Sequence, residues 1–262
     1  MSHVDYNQDP NRPDAYRNAD HNSVENYRPD CPQQPPHPYP VKPPCGGIYP
    51  EPYPFYQPLD PLTGRVVSPA SRAQILLNVN GLEFFTVNQT TGGKNFPNLF
   101  GGQVPFPFQE DVESATPPPD NFILSGGHLD QRGRINFTDA EFANFRPQFT
   151  EWPRLRVNPA EVLRIQWLID APRITRGYRA FITRDNWVQN VRLTRAQIEP
   201  APFFDEINQA SPWFAHQGSL PPRLTFDMSL PFNKRGHHVI LLLWLVADQP
   251  FAFYQAFDVD FG

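Results

Sequence analysis

Seven histidines are the side chains best suited to bind a metal or transfer protons, but their spacing offers no site. His237 and His238 are adjacent in a predicted strand, so their side chains point to opposite faces and do not chelate one ion together. For His238 we expect a hydrogen-bonded side chain within that strand. The other histidines stand apart in turn-like or proline-rich sequence: His3, His21, His37, His128 and His216. The histidine pattern therefore predicts no metal centre.

Common catalytic and nucleotide-binding motifs are also missing. The sequence has no Walker loop, no dinucleotide-binding glycine fingerprint, no Gly-x-Ser-x-Gly elbow and no Cys-x-x-Cys pair. The net charge is −5 and only 19% of the residues are charged, so the chain lacks the broad basic surface that binds phosphate backbones. We expect no nucleic-acid partner.

The elements that would position a site are predicted to be strands. Thirty-three prolines exclude a mostly helical protein, because proline removes an amide donor and clashes within a helix. Apolar runs predict strands at residues 162–169, 178–183 and 238–244. Thr138 and Glu141 match a capping box, which predicts a short helix. These elements are typical of a β-sandwich.

Residues 92–108 combine glycine, proline and phenylalanine. Glycine pairs at 92–93 and 101–102, and another at 126–127, predict turns. This stretch contains four phenylalanines: Phe96, Phe100, Phe106 and Phe108. We expect them to pack into the core or against the loops. If several of them are exposed instead, they form an apolar patch that is typical of a protein interface.

Residues 1–62 form a separate compositional block. They contain 15 of the 33 prolines and seven of the nine tyrosines, and almost no aliphatic residues. Such a segment does not bury enough apolar surface to fold alone and favours extended polyproline structure. It is either a disordered tail, an arm whose tyrosines dock on a neighbouring surface, or a processed segment. We place the globular domain at residues 63–262.

The sequence also bears on localisation. No basic region followed by an apolar core is visible at the amino terminus, so we expect no signal peptide. We expect the chain to be synthesised in the cytoplasm. Any release would then follow a non-standard route, as part of an assembly. The longest apolar run, residues 239–247, is far shorter than the about 20 residues that span a bilayer. Cys31 and Cys45 lie outside the predicted domain, so no disulfide framework supports it.

Three motifs follow one another in the predicted domain. Residues 63–73 read TGRVVSPASRA, residues 171–183 contain Ala-Pro-Arg-Ile-Thr and Tyr-Arg-Ala-Phe-Ile-Thr, and residues 236–260 read GHHVILLLWLVADQPFAFYQAFDVD. Together they resemble the bacterial lytic polysaccharide monooxygenases of auxiliary activity family 10, also called the chitin-binding type-4 family. The resemblance is weakest over residues 74–120. It implies an all-β fold, a fibronectin-like or immunoglobulin-like β-sandwich.

The resemblance implies where copper would bind. The family holds copper through the amine and imidazole of the first mature residue and through one internal histidine, with a phenylalanine at the axial side. Thr63 and Arg173 stand at the two histidine positions, whereas Phe253 keeps the axial position and Ala171 the small residue beside it. An amide nitrogen has a delocalised lone pair, and a guanidinium has none to donate. We therefore expect no copper or other cofactor and no enzyme activity.

The family binds chitin through a surface around the copper, to which an aspartate before the axial phenylalanine contributes. Asp248 matches that aspartate, and Phe251 replaces an asparagine of the family. Arg173 could bind a polysaccharide or a protein partner, or could simply be solvated, and Asp248 could instead cap a turn. The resemblance implies a non-catalytic protein that binds chitin or a related polysaccharide. The alternative is a structural or assembly subunit that docks or forms homo-oligomers through residues 1–62.

Overall fold

The computed structural model describes residues 64–103 and 110–262. Its α-helices in these ranges are α1 (Arg72–Asn78), α2 (Phe84–Val87) and α3 (Asp139–Phe145). Its strands are β1 (Gly64–Ser68), β2 (Thr91–Gly93), β3 (Leu155–Val157), β4 (Val162–Ile169), β5 (Thr175–Ile182), β6 (Phe204–Ile207), β7 (Thr225–Ser229), β8 (Gly236–Val246) and β9 (Phe251–Phe261). The three strands expected from apolar runs correspond to β4, β5 and β8.

The strands form two sheets. The smaller sheet has the order β1-β4-β7 and the larger has the order β2-β9-β8-β5-β6, with β3 added to β9 in parallel. The inner faces meet in an aromatic core, in which the Trp167 ring of β4 lies 5.5 Å from Trp244 of β8 and 6.1 Å from Tyr178 of β5. The predicted β-sandwich is therefore confirmed.

The larger sheet is buried on both faces. Along β8, Leu242 and Trp244 face the smaller sheet, whereas Leu241 and Leu243 face a second core. That second core is completed by α1, α3 and neighbouring loops, including a stacked pair of rings, Phe142 and Trp152, whose centroids are 3.9 Å apart. A strand buried on both faces needs a continuous apolar sequence, which explains why β8 does not alternate.

Local sequence signals account for the helix ends and the turns only in part. Thr138 and Glu141 form the predicted capping box before α3. Gly126 and Gly127 adopt φ of 71° and 94° in the predicted turn. The turn predicted at residues 92–93 is wrong, because both glycines lie in β2 and pair with β9. A Cβ on Gly92 would lie 2.8 Å from the Gly126 carbonyl oxygen, so close packing explains this glycine.

The first and last motifs of the domain meet in one buried ion pair. Arg72, at the start of α1, donates from Nε to Asp258 Oδ2 at 2.6 Å and from its terminal nitrogen to Oδ1 at 2.9 Å. His237 Nε2 lies 2.8 Å from the same Oδ1. His238 points to the opposite side and contacts Thr183 Oγ1 at 2.9 Å, as predicted for a strand histidine. Residues 186 positions apart in sequence thereby join α1 to β9.

Candidate functional site

The residues singled out by the third and second motifs meet at one end of the sandwich. Here β4 ends, β5 begins, and a turn connects β8 to β9. The Ala247 amide donates to the Ile174 carbonyl oxygen at 2.8 Å, which joins the turn to the loop before β5. Gly64 at the start of β1 pairs with Ile169 at the end of β4. We call residues 84–88, 170–173 and 247–251 the candidate face.

The predicted site residues differ in their access to solvent. Ala171, Arg173 and Phe251 are half-buried, whereas Phe253 is fully buried. The Phe253 ring lies 4.9 Å from Trp244 and 5.5 Å from Phe251, within the core between the sheets. Thr63 lies outside the described residues.

Asp248 faces the interior. It is only 6% exposed, and neither carboxylate oxygen has a hydrogen-bond partner in another residue. Its side chain therefore does not cap a turn. Burial raises the pKa of Asp248, and the positive charges of Arg173 and Lys94 oppose that rise. The Arg173 Nε is likewise buried without a partner, so two groups of opposite charge lie near each other with hydrogen-bonding capacity unused.

A buried cluster of charged side chains lies near Asp248, and the sequence motifs did not predict it. Lys94, only 1% exposed, donates from Nζ to the Val246 carbonyl oxygen at 2.8 Å. Burial lowers the pKa of Lys94 to about 8, against the attraction of Asp111 and Asp248. The fully buried Arg176 side chain donates to both carboxylate oxygens of Asp111, with its Nε 2.9 Å from Oδ2. Lys94 and Asp111 lie outside the three motifs, and only the fold brings them close to Arg176 and Asp248.

The side chains around Asp248 can be tested as metal ligands. In the described ranges, no group of three histidine, cysteine, aspartate or glutamate side chains converges on a point where a metal could bind. The charged groups that act on Asp248 include two cations, Arg173 and Lys94, and the carboxylate of Asp111. Neither cation offers a lone pair while it is protonated. This set of side chains does not supply the imidazole nitrogens that copper favours.

An exposed aromatic pair on α2 also lies at the candidate face. Phe84 is 50% exposed and Phe85 is 68% exposed, with edge-to-face rings 5.7 Å apart. Arg65 lies 5.4 Å from the Phe84 ring and donates to Asn88 Oδ1 at 2.7 Å. Asn88 in turn donates to the carboxylate of Asp170, in the loop that carries Arg173. Two adjacent phenylalanines suggest core from sequence alone, so only the exposure reveals this surface.

The phenylalanines of residues 92–108 divide into two kinds. Phe96 is fully buried, with its ring 5.2 Å from Phe181, so the expected core packing is confirmed there. Phe100 is 77% exposed, next to Leu99 at 62%. Phe106 and Phe108 lie outside the described residues. None of the helices within residues 64–103 and 110–262 has the length and hydrophobicity of a membrane-spanning segment.

Comparison with known proteins identifies the family. The profile of the family described as lytic polysaccharide mono-oxygenase, cellulose-degrading, matches residues 64–259. The fold is similar to a chitin-binding domain from Burkholderia pseudomallei, with a TM-score of 0.69 and 33% identity, covering 76% of this chain and 99% of that one. It is also similar to an AA10 lytic polysaccharide monooxygenase from Streptomyces lividans, with a TM-score of 0.56, 27% identity and the same coverage.

Curated relatives are longer than the matched region. GlcNAc-binding protein A of Shewanella oneidensis is 36% identical over 99 residues, which are 37% of this chain and 19% of that protein. The chain spans about a fifth to a third of the length of the curated relatives that it matches. The profile match across the sandwich and the likeness of the folds agree with the resemblance in the three motifs. The chain therefore belongs to the AA10 family of lytic polysaccharide monooxygenases.

Proposed function

We propose that this protein binds chitin or a related polysaccharide at the candidate face and does not oxidise it. The relatives named as chitin-binding or GlcNAc-binding support the ligand class. The proposal that oxidation is lost rests on one observation, namely that the cations Arg173 and Lys94 lie close to Asp248.

The aromatic pair supplies the binding surface. The apolar faces of sugar rings pack on aromatic rings, and Phe84 and Phe85 expose large apolar surfaces that burial would remove from water. In the other two segments of the candidate face, Asp248 has an unused acceptor and Arg173 an unused donor. A bridging water or a small displacement of the turn would let both groups hydrogen-bond to a polymer on the candidate face.

The same side chains argue against copper chemistry. Arginine carries a positive charge and has no lone pair to donate, so Arg173 repels a copper ion and does not ligate it. Lys94 adds a second positive charge under the same turn. We therefore propose that the candidate face still binds polysaccharide but holds no redox centre.

Adsorption to insoluble polymers tests the binding. The full-length chain is mixed with chitin and with cellulose, and the protein left in solution is measured. Phe84→Ala with Phe85→Ala should weaken adsorption to chitin about tenfold or more, because both exposed rings are lost. Phe232→Ala is the matched control, since Phe232 is 78% exposed at the opposite end of β8. Equal adsorption by the double variant and the control would contradict the proposed face.

Copper titration tests the absence of oxidation. We expect no tight copper binding by calorimetry and no oxidised sugars from chitin supplied with copper and peroxide. Arg173→His is the informative variant, because it restores only one imidazole and should not create activity. Oxidised products from the unmodified chain would refute the non-catalytic proposal while leaving adsorption unaffected.

A second candidate function is that of an assembly subunit. The adjacent exposed side chains of Leu99 and Phe100 favour it, because neighbouring apolar groups in water are typical of protein contacts. Sizing the full-length chain and a form without residues 1–62 tests this role. Concentration-dependent oligomers that vanish on deletion, while the domain still unfolds cooperatively, would support assembly through that segment. A monomer at all concentrations would exclude homo-oligomers as the form of this assembly.

A further inference from the structure

A groove of about 580 Å³ runs along the side of the sandwich, outside the candidate face. Its walls are β5, the edge strand β6, and residues 219–223. This volume lies within the ~300–1,000 Å³ that is usual for ligand sites. The groove begins at Thr175, whose Oγ1 donates to the Arg173 carbonyl oxygen at 3.1 Å. The groove therefore starts two residues from the candidate face.

The groove presents a fixed pair of polar side chains. Arg223 and Glu206 form an ion pair at 2.6 Å, with 43% and 48% of their side chains exposed. The Arg223 guanidinium lies 5.1 Å from the Tyr178 ring and 4.8 Å from the Phe226 ring, which hold it in place. One ion pair uses a fraction of the five N–H donors of arginine and the four lone-pair directions of a carboxylate. Because both side chains are partly exposed, the remaining donors and acceptors are accessible to hydroxyl groups, which both donate and accept.

The charges of the groove disfavour an ionic ligand. Besides Arg223 with Glu206, Asp205 pairs with Arg179 at 2.8 Å, and Arg176 pairs with Asp111. Each cation is thus matched by a carboxylate. A charged ligand would leave one partner of such a pair uncompensated, whereas a neutral hydroxylated ligand leaves the pairs intact.

The edge strand disfavours a peptide as the occupant. In the described part of the chain, β6 pairs only with β5, so its outer edge is a potential docking site for another strand. Two of its four residues are acidic, and the Gln209 side chain donates to the Ile207 carbonyl oxygen at 3.4 Å. Edge charges and blocked carbonyls hinder strand addition. The side chains of the groove, rather than its backbone, are left to bind a ligand.

We propose that this groove binds a single polysaccharide chain that continues past the candidate face. The inference rests on the proposed function for its ligand class, and it adds a site with its own residues. A flat polymer surface contacts the candidate face alone, whereas a free chain also enters the groove. The protein therefore binds soluble oligosaccharides as well as solid polymer.

Binding of a soluble hexasaccharide of N-acetylglucosamine to the full-length chain tests the groove. Glu206→Ala should weaken this binding at least tenfold. Ser219→Trp, which fills the groove and keeps the ion pair, should do the same. Asp227→Ala is the matched control, because it breaks an exposed ion pair with Arg164 on the smaller sheet. The control should bind as the unmodified chain does.

The outcomes separate this inference from the proposed function. Adsorption to chitin without hexasaccharide binding, or hexasaccharide binding that neither groove variant weakens, would overturn the groove and leave the candidate face standing. No adsorption to any solid polymer, with hexasaccharide binding that both groove variants abolish, would overturn the candidate face and support the groove. Weaker hexasaccharide binding by both groove variants, with unchanged adsorption to chitin, supports both sites.

Discussion

Asp258 should be among the side chains whose removal costs the sandwich most. Its carboxylate is fully buried and contacts Arg72 through two hydrogen bonds and His237 through one. Asp258→Asn keeps the shape but removes the charge, so the Arg72 guanidinium, 5% exposed, remains buried without a counter-ion. Breaking one side of a buried ion pair costs about 3–5 kcal/mol of the free energy of unfolding. For a domain of this size, that lowers the Tm by roughly 6–20 °C.

Urea unfolding at pH 7, followed by circular dichroism and tryptophan fluorescence, measures this loss. Asp227→Asn is the control, since Asp227 pairs with Arg164 at 3.2 Å with 55% of its side chain exposed. Exposed pairs contribute about 0–1 kcal/mol. Equal losses in the two variants would refute the argument that burial makes the Arg72 pair different.

The pH dependence provides an independent check on Asp258. Burial alone would raise its pKa, but the charge and hydrogen bonds of Arg72, aided by His237, hold the pKa at about 2. Because the folded value lies below the unfolded value of about 3.9, the stabilisation is fully present above pH ~4 and is lost as the pH falls towards 2. The gap in stability between the unmodified chain and Asp258→Asn should therefore narrow on acidification. A gap that stays constant from pH 7 to the acid limit of folding would contradict this linkage.

Three further substitutions test other parts of the structure. Lys94 has a pKa of about 8 in the folded protein and 10.5 as an ordinary lysine, so between these pH values the unfolded chain binds more protons and the free energy of unfolding rises with pH. Lys94→Met should abolish this rise, which denaturant titrations at pH 8 and near pH 10.5 measure. Leu242→Ala, between the sheets, should cost about 2–5 kcal/mol in urea unfolding, and a loss below 1 kcal/mol would mean that the core collapses around the cavity. Thr138→Ala should cost about 0.5–2 kcal/mol through the lost cap of α3, whereas Thr138→Ser should restore most of it.

Elements with strong local signals could be predicted from the sequence. The apolar runs located β4, β5 and β8, and the pairing of Thr138 with Glu141 located the start of α3. Buried and exposed residues alternate along β4, which is typical of a strand with one buried face, so this strand could be predicted from the sequence alone. The strand of residues 92–93 was missed, because a glycine pair favours a turn unless a distant strand lies beside it.

The candidate site was harder to predict than these elements, because its geometry depends on contacts between residues that are far apart in sequence. The resemblance in the motifs located Arg173 and Asp248, but the burial of Asp248 follows from the packing of residues 94 and 111 beneath the turn, and these are far away in sequence. The exposure of Phe84 and Phe85 could not be predicted from the sequence either. Helix α2 has only four residues, which is too short for a helical pattern that separates apolar from polar faces. Residues 1–62 lie outside the described residues, so both their extended conformation and their docking role stay predictions.

The position of β9 has a consequence for the synthesis of the chain. β9 is the last strand of the domain to be translated, yet it lies inside the larger sheet and pairs with β8, β2 and β3. Strands made early in translation must wait for residues 251–261 before they gain this neighbour, and such long-range pairing slows folding. During that interval the edge of β8 that pairs with β9 is open on the nascent chain, where it can associate with other unfinished proteins. The domain therefore completes its fold after its translation, and a chaperone that shields β8 in the meantime should raise the yield.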